Sequence, residues 1–429
     1  NTKSYEIKVN ELHNMFNWQA GQGVYGLMYR DNGTDYTYVR TGQGVEGYTE
    51  AQTVPESLLT VHNKMKRCLT KDDGTVNYYL NPTDSMFKEG TTTGISGTIS
   101  IITENYSVGI ISITPASQAG LSASIIGCYM KISNGVRDEY ALITAYDGSV
   151  ITLAHPHYNL STGYTSFVVG DAKLNGADGQ VMVEIPEFYW KFTEVYEVGY
   201  TWLHHQISLK YFDGAIKLNK RYVSAFEGVA GNASGVASDG WTGTWDNTNK
   251  VWTSISNTSI ANKLLSVAGF YPQTVRTRAN FRTQSNAVGA SYHQYDFTSN
   301  FVLQLLLLIE CGGFGSQERL SRGITDVNSA NWSSYNGYRP VRKTGDTVRY
   351  GNTSNNLFGL SFTMPIVSNY TIQSFSYRGI ENVWGHIWKW VDAINLKHFA
   401  EGEAIYAKAY ISSDPRAHVE DTLTNMAEL

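Results

Sequence analysis

Ile99-Ser100-Ile101-Ile102, Val108-Gly109-Ile110-Ile111-Ser112-Ile113, Tyr140-Ala141-Leu142-Ile143-Thr144-Ala145 and Ser149-Val150-Ile151-Thr152-Leu153 are four runs of β-branched and small polar residues between turn-forming stretches. Branched side chains fit a pleated, half-buried surface. Strands of about five residues with turns every roughly 8–12 predict a small all-β module. Tryptophan is absent and charges are sparse over 88–171, so the composition marks an insertion at 88–175 that lengthens the molecule or adds a surface.

Before it, Val24-Tyr25-Gly26-Leu27-Met28-Tyr29 and Tyr36-Thr37-Tyr38-Val39-Arg40 flank Asp31-Asn32-Gly33. Period-two strands around an Asn-Gly turn predict a hairpin. Pro55 introduces Glu56–Cys68, where Leu58, Leu59, Val61, Met65 and Cys68 mark one face of a short helix. Val76–Leu80 reads as a strand after the Asp73-Gly74 turn.

After it, Gln180–Phe192 reads as a strand pair and Ser259–Ala268 as a short helix. A stronger helix begins at Thr298 or Ser299 and ends at Cys311, before Gly312-Gly313. Gly228–Ser256 and 313–376 are Gly/Ser/Asn-rich loops carrying aromatics. The boundaries expected are a β-rich attachment segment at 1–56, the start of a second domain at 57–87, the insertion at 88–175, and the rest of that domain at 176–429.

Only 17% of the 429 residues are charged, against about 25% in ordinary domains; 29 tyrosines and 40 glycines help to fill the gap. Rigid aromatics among adaptable polar residues suit a binding surface. The net charge of −5 argues against an electrostatic nucleic-acid binder, which needs a basic face. No apolar run is long enough to span a bilayer, and no basic n-region with an apolar stretch announces a secretory signal. Cys68, Cys128 and Cys311 are odd in number and far apart, so they read as buried thiols made in a reducing cytoplasm.

Tyr377-Arg378-Gly379-Ile380-Glu381-Asn382-Val383-Trp384-Gly385-His386-Ile387-Trp388-Lys389-Trp390-Val391-Asp392 resembles the Gly-Asn-Val-Trp-Glu-Trp signature of the formylglycine-generating (sulfatase-modifying) branch of the C-type lectin fold. Ser299–Gly313 is similar to the second helix of that fold. Asp72–Leu80 and Asp178–Pro186 resemble stretches that lie close together in phage tail proteins of gut bacteria, and here the insertion separates them. The resemblance implies an α+β fold: a C-type-lectin-like C-terminal domain with an inserted all-β module and a β-rich N-terminal segment. It also implies a virion protein of a tail tip or fibre, made in the bacterial cytoplasm. Its expected partners are a host cell-surface glycan or protein and other tail proteins. A homotrimer is expected from the gain in avidity, with neither nucleic-acid binding nor membrane insertion.

No enzyme is expected. The resembled oxidases hold copper through a late pair of cysteines, which suits a soft ion; no cysteine follows Cys311. Paired carboxylates would serve a glycan depolymerase, and Asp239, Asp246, Glu310 and Glu318 are available, but no two share a face of a clear element. His155-Pro156-His157 could hold an axial metal in a trimer, yet a proline between the ligands favours a turn. His204 and His205, being adjacent on a strand, point to opposite faces. No cofactor or metal site is therefore expected.

Trp384 and Trp388, four apart along an amphipathic pattern, and Trp390 beside them are expected in the core, with Glu381 and Asn382 tying loops together. The candidate receptor-binding residues are Trp241, Trp245 and Trp252 in the first long loop, and Trp332, Tyr335, Tyr338, Arg339, Arg342, Arg349 and Tyr350 in the second. The aromatics offer rigid contact area, and the arginines could clamp anionic sugars or carboxylates. A structural head fibre or decoration protein without a receptor role is the alternative expectation.

Overall fold

In a computed structural model, the described residues are 23–321, apart from 32, 34, 43, 50–51, 106–109, 137, 155–162, 198, 238–241, 247–250, 257–261 and 275, followed by 323, 343–354, 374–401, 404–416, 423 and 426–428. The protein is mostly β, with 41% strand against 13% helix and three α-helices among the described residues, so the α+β expectation is overturned.

Two stretches expected as helices contain strands instead. Glu56–Cys68 gives two 3-10 turns, Glu56–Leu58 and His62–Lys64, and then the strand Lys66–Thr70. That strand lies between two others in its sheet, and Arg67, Cys68, Leu69 and Thr70 are all buried. A strand covered on both faces loses its alternation and cannot be told from a buried helix by pattern. Within Ser259–Ala268, Lys263–Leu265 is a strand paired antiparallel with Val229–Gly231. In Gly379–Asn395 the backbone takes positive φ at Gly379, Asn382, Gly385 and Ala393, which no right-handed helix admits.

The chain separates into two units. The first comprises Asn1–Met65, Glu184–Tyr222 and Thr298–Ser321. Its centre is a five-stranded antiparallel sheet in the order Ile216–Leu218, Phe188–Glu197, Tyr200–Ser208, Tyr25–Asp31, Tyr36–Thr41. The last two strands form the hairpin that the Asn-Gly turn predicts, with Tyr29 opposite Tyr38. Helix α2 (Phe297–Cys311) buries Val302, Leu303, Leu305, Leu306, Leu307 and Ile309. It ends where Gly312 turns left-handed at φ 73 and donates to Leu308 O at 2.9 Å.

Two ties fix that helix to the sheet. Arg40 donates to Ile309 O at 2.7 Å and Glu310 O at 2.9 Å, a cation on the last carbonyls of a helix. His62 Nε2 lies 2.9 Å from Leu306 O, and a carbonyl only accepts, so Nε2 carries the proton. Nδ1 then accepts from Tyr25 Oη at 2.8 Å.

The second unit comprises Lys66–Val183, Val223–Phe297 and Arg322–Leu429. The described parts of the four β-branched runs contribute strands to a closed six-stranded barrel. Its order is Ser166–Lys173, Ile95–Asn105, Ile110–Pro115, Ile151–Ala154, Asp138–Tyr146, Cys128–Ser133, and back to the first. Ile111, Ile113, Met130, Ile132, Ile143, Ile151, Leu153, Phe167 and Val169 fill it. Closure removes the exposed edges that would otherwise template aggregation. Gln180–Ile185 belongs to a separate four-stranded sheet, whereas Phe188–Glu197 pairs within the first unit, so Gln180–Phe192 is not a strand pair. Helix α1 (Arg278–Asn286) is capped by Thr277 Oγ1 accepting from Asn280 N. A four-residue helix, α3 (Ser316–Arg319), belongs to the first unit. Cys68, Cys128 and Cys311 are buried and form no disulfide. Among the described residues no helix is long and apolar enough to cross a membrane.

Candidate binding surface

Of the ten residues singled out from sequence, Trp241, Trp332, Tyr335, Tyr338, Arg339 and Arg342 lie outside the described residues. Trp245 and Trp252 are register partners in the hairpin Thr242–Asp246/Val251–Ser256. Arg349 and Tyr350 occupy a 3-10 turn, where the Arg349 guanidinium sits 4.8 Å from the Tyr350 ring centre. His155 and His157 also fall outside the description, as does Asp239. Among the described residues no group of three or more His, Cys, Asp or Glu side chains could hold a metal.

The tryptophans expected in the core are not all there. Trp384 is half-buried and packs on Phe375 with ring centres 4.7 Å apart. Trp388 is fully exposed, and Trp390 half-exposed with its indole N–H donated to Arg276 O. Without a helix, a spacing of four confers no common face. Glu381 and Asn382 do tie loops together: Glu381 accepts from Gly345 N at 3.0 Å and Thr347 N at 2.8 Å, and Asn382 Oδ1 from Phe375 N at 3.1 Å.

The aromatic surface of the first unit arises elsewhere, from strand alternation. Tyr25, Leu27 and Tyr29 point to one face of the sheet. The register brings Arg40 and His205 beside Leu27, Tyr38 and Leu203 beside Tyr29, Phe192 beside His205, and Trp190 beside Ile207. Helix α2 covers part of this face, with Phe301 edge-on to Trp190 at 5.0 Å. Past the end of the helix the face stays open. There Phe314 stands edge-on to Tyr29 at 5.1 Å, to Tyr36 at 5.0 Å and to Tyr38 at 5.8 Å.

His205 lies parallel between Tyr29 and Trp190, 6.0 Å from each, and accepts from Trp190 Nε1 at 3.2 Å. The result is a continuous strip: Tyr36, Tyr38, Phe314, Tyr29, His205, Phe192 and Trp190. Tyr36 is 43% exposed, Phe314 51% and Phe192 41%, well above what ring packing alone leaves.

The electrostatics of the strip follow from its packing. Burial lowers His205 to about 4, so at neutral pH it is an uncharged ring. His204, pointing to the opposite face and bonded to Thr41 Oγ1 at 2.9 Å, is lowered to about 3 by burial and by His205. Burial and the neighbouring Tyr36 raise Tyr29, which keeps its hydroxyl protonated. The same-face cation Arg40 is buried and donates to helix carbonyls. Arg30 points to the other face, over Tyr200 at 3.9 Å and Trp202 at 4.8 Å. Exposed Asp31, Asp35 and Glu194 border the strip.

Such a surface holds rings by stacking and offers tyrosine hydroxyls, but presents no nucleophile–base pair. The hairpin strands Tyr25–Asp31 and Tyr36–Thr41 were legible from sequence but the strip was not, because alternation alone does not tell which tyrosines remain open beyond a helix end. No family model, no curated protein and no solved structure matches the chain.

Proposed function

We propose that the chain is a bacteriophage virion protein, of a tail tip or fibre, that binds a host cell-surface receptor by non-covalent adhesion through the aromatic strip of its first unit. The observation that carries this reading is the run Tyr36, Phe314, Tyr29, His205 and Phe192, packed ring against ring with Tyr36, Phe314 and Phe192 exposed. Large rings already fixed before binding lose little entropy on contact, which is how strong contact points are made. The virion setting is supported by the likeness of Asp72–Leu80 and Asp178–Pro186 to phage tail segments, and homotrimeric assembly would multiply weak contacts into avidity. Mechanistically this is adhesion, with no covalent step.

The test is binding of labelled protein to bacterial cells that the parent phage adsorbs to, compared with a Tyr36→Ala/Phe314→Ala variant of unchanged melting temperature. A loss of at least tenfold, matching the roughly 1–2 kcal/mol expected of such contact residues, supports the reading. Equal binding by both proteins, or none by the parent, overturns it.

A further inference from the structure

We infer that the strip takes a neutral, extended oligosaccharide and rejects acidic glycans; this rests on the adhesin reading and adds the class of ligand. Three observations carry it.

The first is shape. Tyr36, Phe314, Tyr29, His205 and Phe192 follow one another with ring centres 5.0–6.0 Å apart along an open face. An open row accommodates several consecutive rings of a chain and gives a single sugar little to hold. The C–H bonds on one face of a pyranose are weakly positive and meet the negative face of an aromatic ring. Phe314 stands edge-on to all three tyrosines, whereas His205 lies parallel to Tyr29.

The second is polarity. Tyr29, Tyr36 and Tyr38 each carry a hydroxyl that can donate and accept, which suits sugar hydroxyls. Tyr38 already accepts from Phe314 N at 3.3 Å.

The third is charge, and it decides between sugar classes. Asp31, Asp35 and Glu194 are exposed on the border, and Tyr196 Oη donates to the Glu194 carboxylate. Among the described sheet residues on this face the one cation is Arg40, engaged on the helix carbonyls, while strand alternation places Arg30, Lys191 and Lys217 on the opposite face. A uronic, sialic or sulfated glycan would therefore meet like charge with no compensating cation from the described sheet residues of this face.

The experiment is a glycan array, carrying neutral, amino, uronic, sialylated and sulfated oligosaccharides, probed with the full chain and with the Tyr36→Ala/Phe314→Ala variant. Hits should be neutral chains of several residues, strengthen with chain length, weaken at least tenfold in the variant, and change less than about twofold between roughly 50 and 500 mM salt, since no charge pair is screened. Hits confined to acidic glycans, neutral hits that survive in the variant, or an empty array overturn the inference. Treated cells separate this from the adhesin reading. If periodate-oxidised cells still bind the protein and protease-treated cells do not, adhesion stands and the glycan inference falls. If neither intact cells nor the array bind, both fall.

Discussion

Arg67 and Glu381 are joined through one hydroxyl: Thr347 Oγ1 accepts from Arg67 Nη2 at 2.7 Å and donates to Glu381 Oε2 at 2.9 Å. Arg67 is fully buried and also donates to Gly379 O and Thr347 O, while Glu381 takes the N–H groups of Gly345 and Thr347. Thus three separated segments of the second unit, around 67, 345–347 and 379–381, share one network. Gly345 is required there, since its φ is 100° and a Cβ would collide with the Tyr129 hydroxyl.

Thr347→Val keeps the shape and deletes the hydroxyl, leaving the buried Arg67 guanidinium and the Glu381 carboxyl each short of a bond. Bonds to charged groups contribute about 1.5–3 kcal/mol, so the variant should lose about 2–4 kcal/mol, read as a lower urea midpoint at unchanged slope. Thr347→Ser, which keeps the hydroxyl, should lose no more than about 1.5 kcal/mol.

The same network makes stability depend on pH. Burial, and then the nearby Asp346, push the Glu381 carboxyl up to about 7, against the opposing pull of its backbone donors and Arg67. Its ordinary value is 4.5, so between about 4.5 and 7 the folded state holds a proton that the unfolded chain has released. The contribution is complete below that window and is lost as pH rises through it. Relative to Glu381→Gln, which cannot titrate, the native chain should therefore lose stability from pH 4.5 to 7. Parallel urea midpoints across that range would falsify this account.

In the first unit the sign reverses. His204 and His205 are lowered to about 3 and 4, chiefly by burial, so below pH 6.5 the unfolded chain takes up protons that the folded one refuses. Stability should fall as pH drops from 6.5 toward 4. His205→Phe keeps a ring between Tyr29 and Trp190 and removes one titration. It should lose about 1 kcal/mol at pH 7 with the Trp190 bond, yet drop less than the native chain on going to pH 5. A steeper acid loss in the variant would count against it.

Elements with one local period and clean punctuation were readable from sequence. The hairpin around 31–33, the barrel strands and helix α2 each combine a repeat of 2 or 3.6 with a turn or glycine stop. Lys66–Thr70 was not readable, because burial on both faces erases alternation, and neither was the 379–395 stretch, whose conformation depends on left-handed residues at Asn382 and Ala393. Nothing in Lys64-Met65-Lys66-Arg67 distinguishes the arginine that goes fully inside from lysines that stay partly outside; its partners come from 347 and 379. The strip fails differently: each tyrosine could be assigned to a strand, but its openness depends on where a helix about 270 residues away ends.

That distinction between spacing and position gives a last contrast, in the segment that looked most like core. Trp388 stands in a stretch held at its shoulders. His386 and Lys389 pair with buried Glu227, and Arg282 grips Asp392 with two bonds of 2.6 and 2.7 Å. These ties fix the backbone, so the exposed indole contributes little to holding it. Trp388→Ala should leave stability within about 0.5 kcal/mol of the native chain. Phe375, wholly buried beneath Trp384, should lose about 3–5 kcal/mol on truncation to alanine, the cost of transfer plus the cavity left behind. Urea denaturation of both variants decides the matter. If Trp388→Ala were the more damaging, its ring would have to be covered in solution, by a second copy of the chain or by a folded-over segment, and the melting midpoint of the native protein would then report that contact.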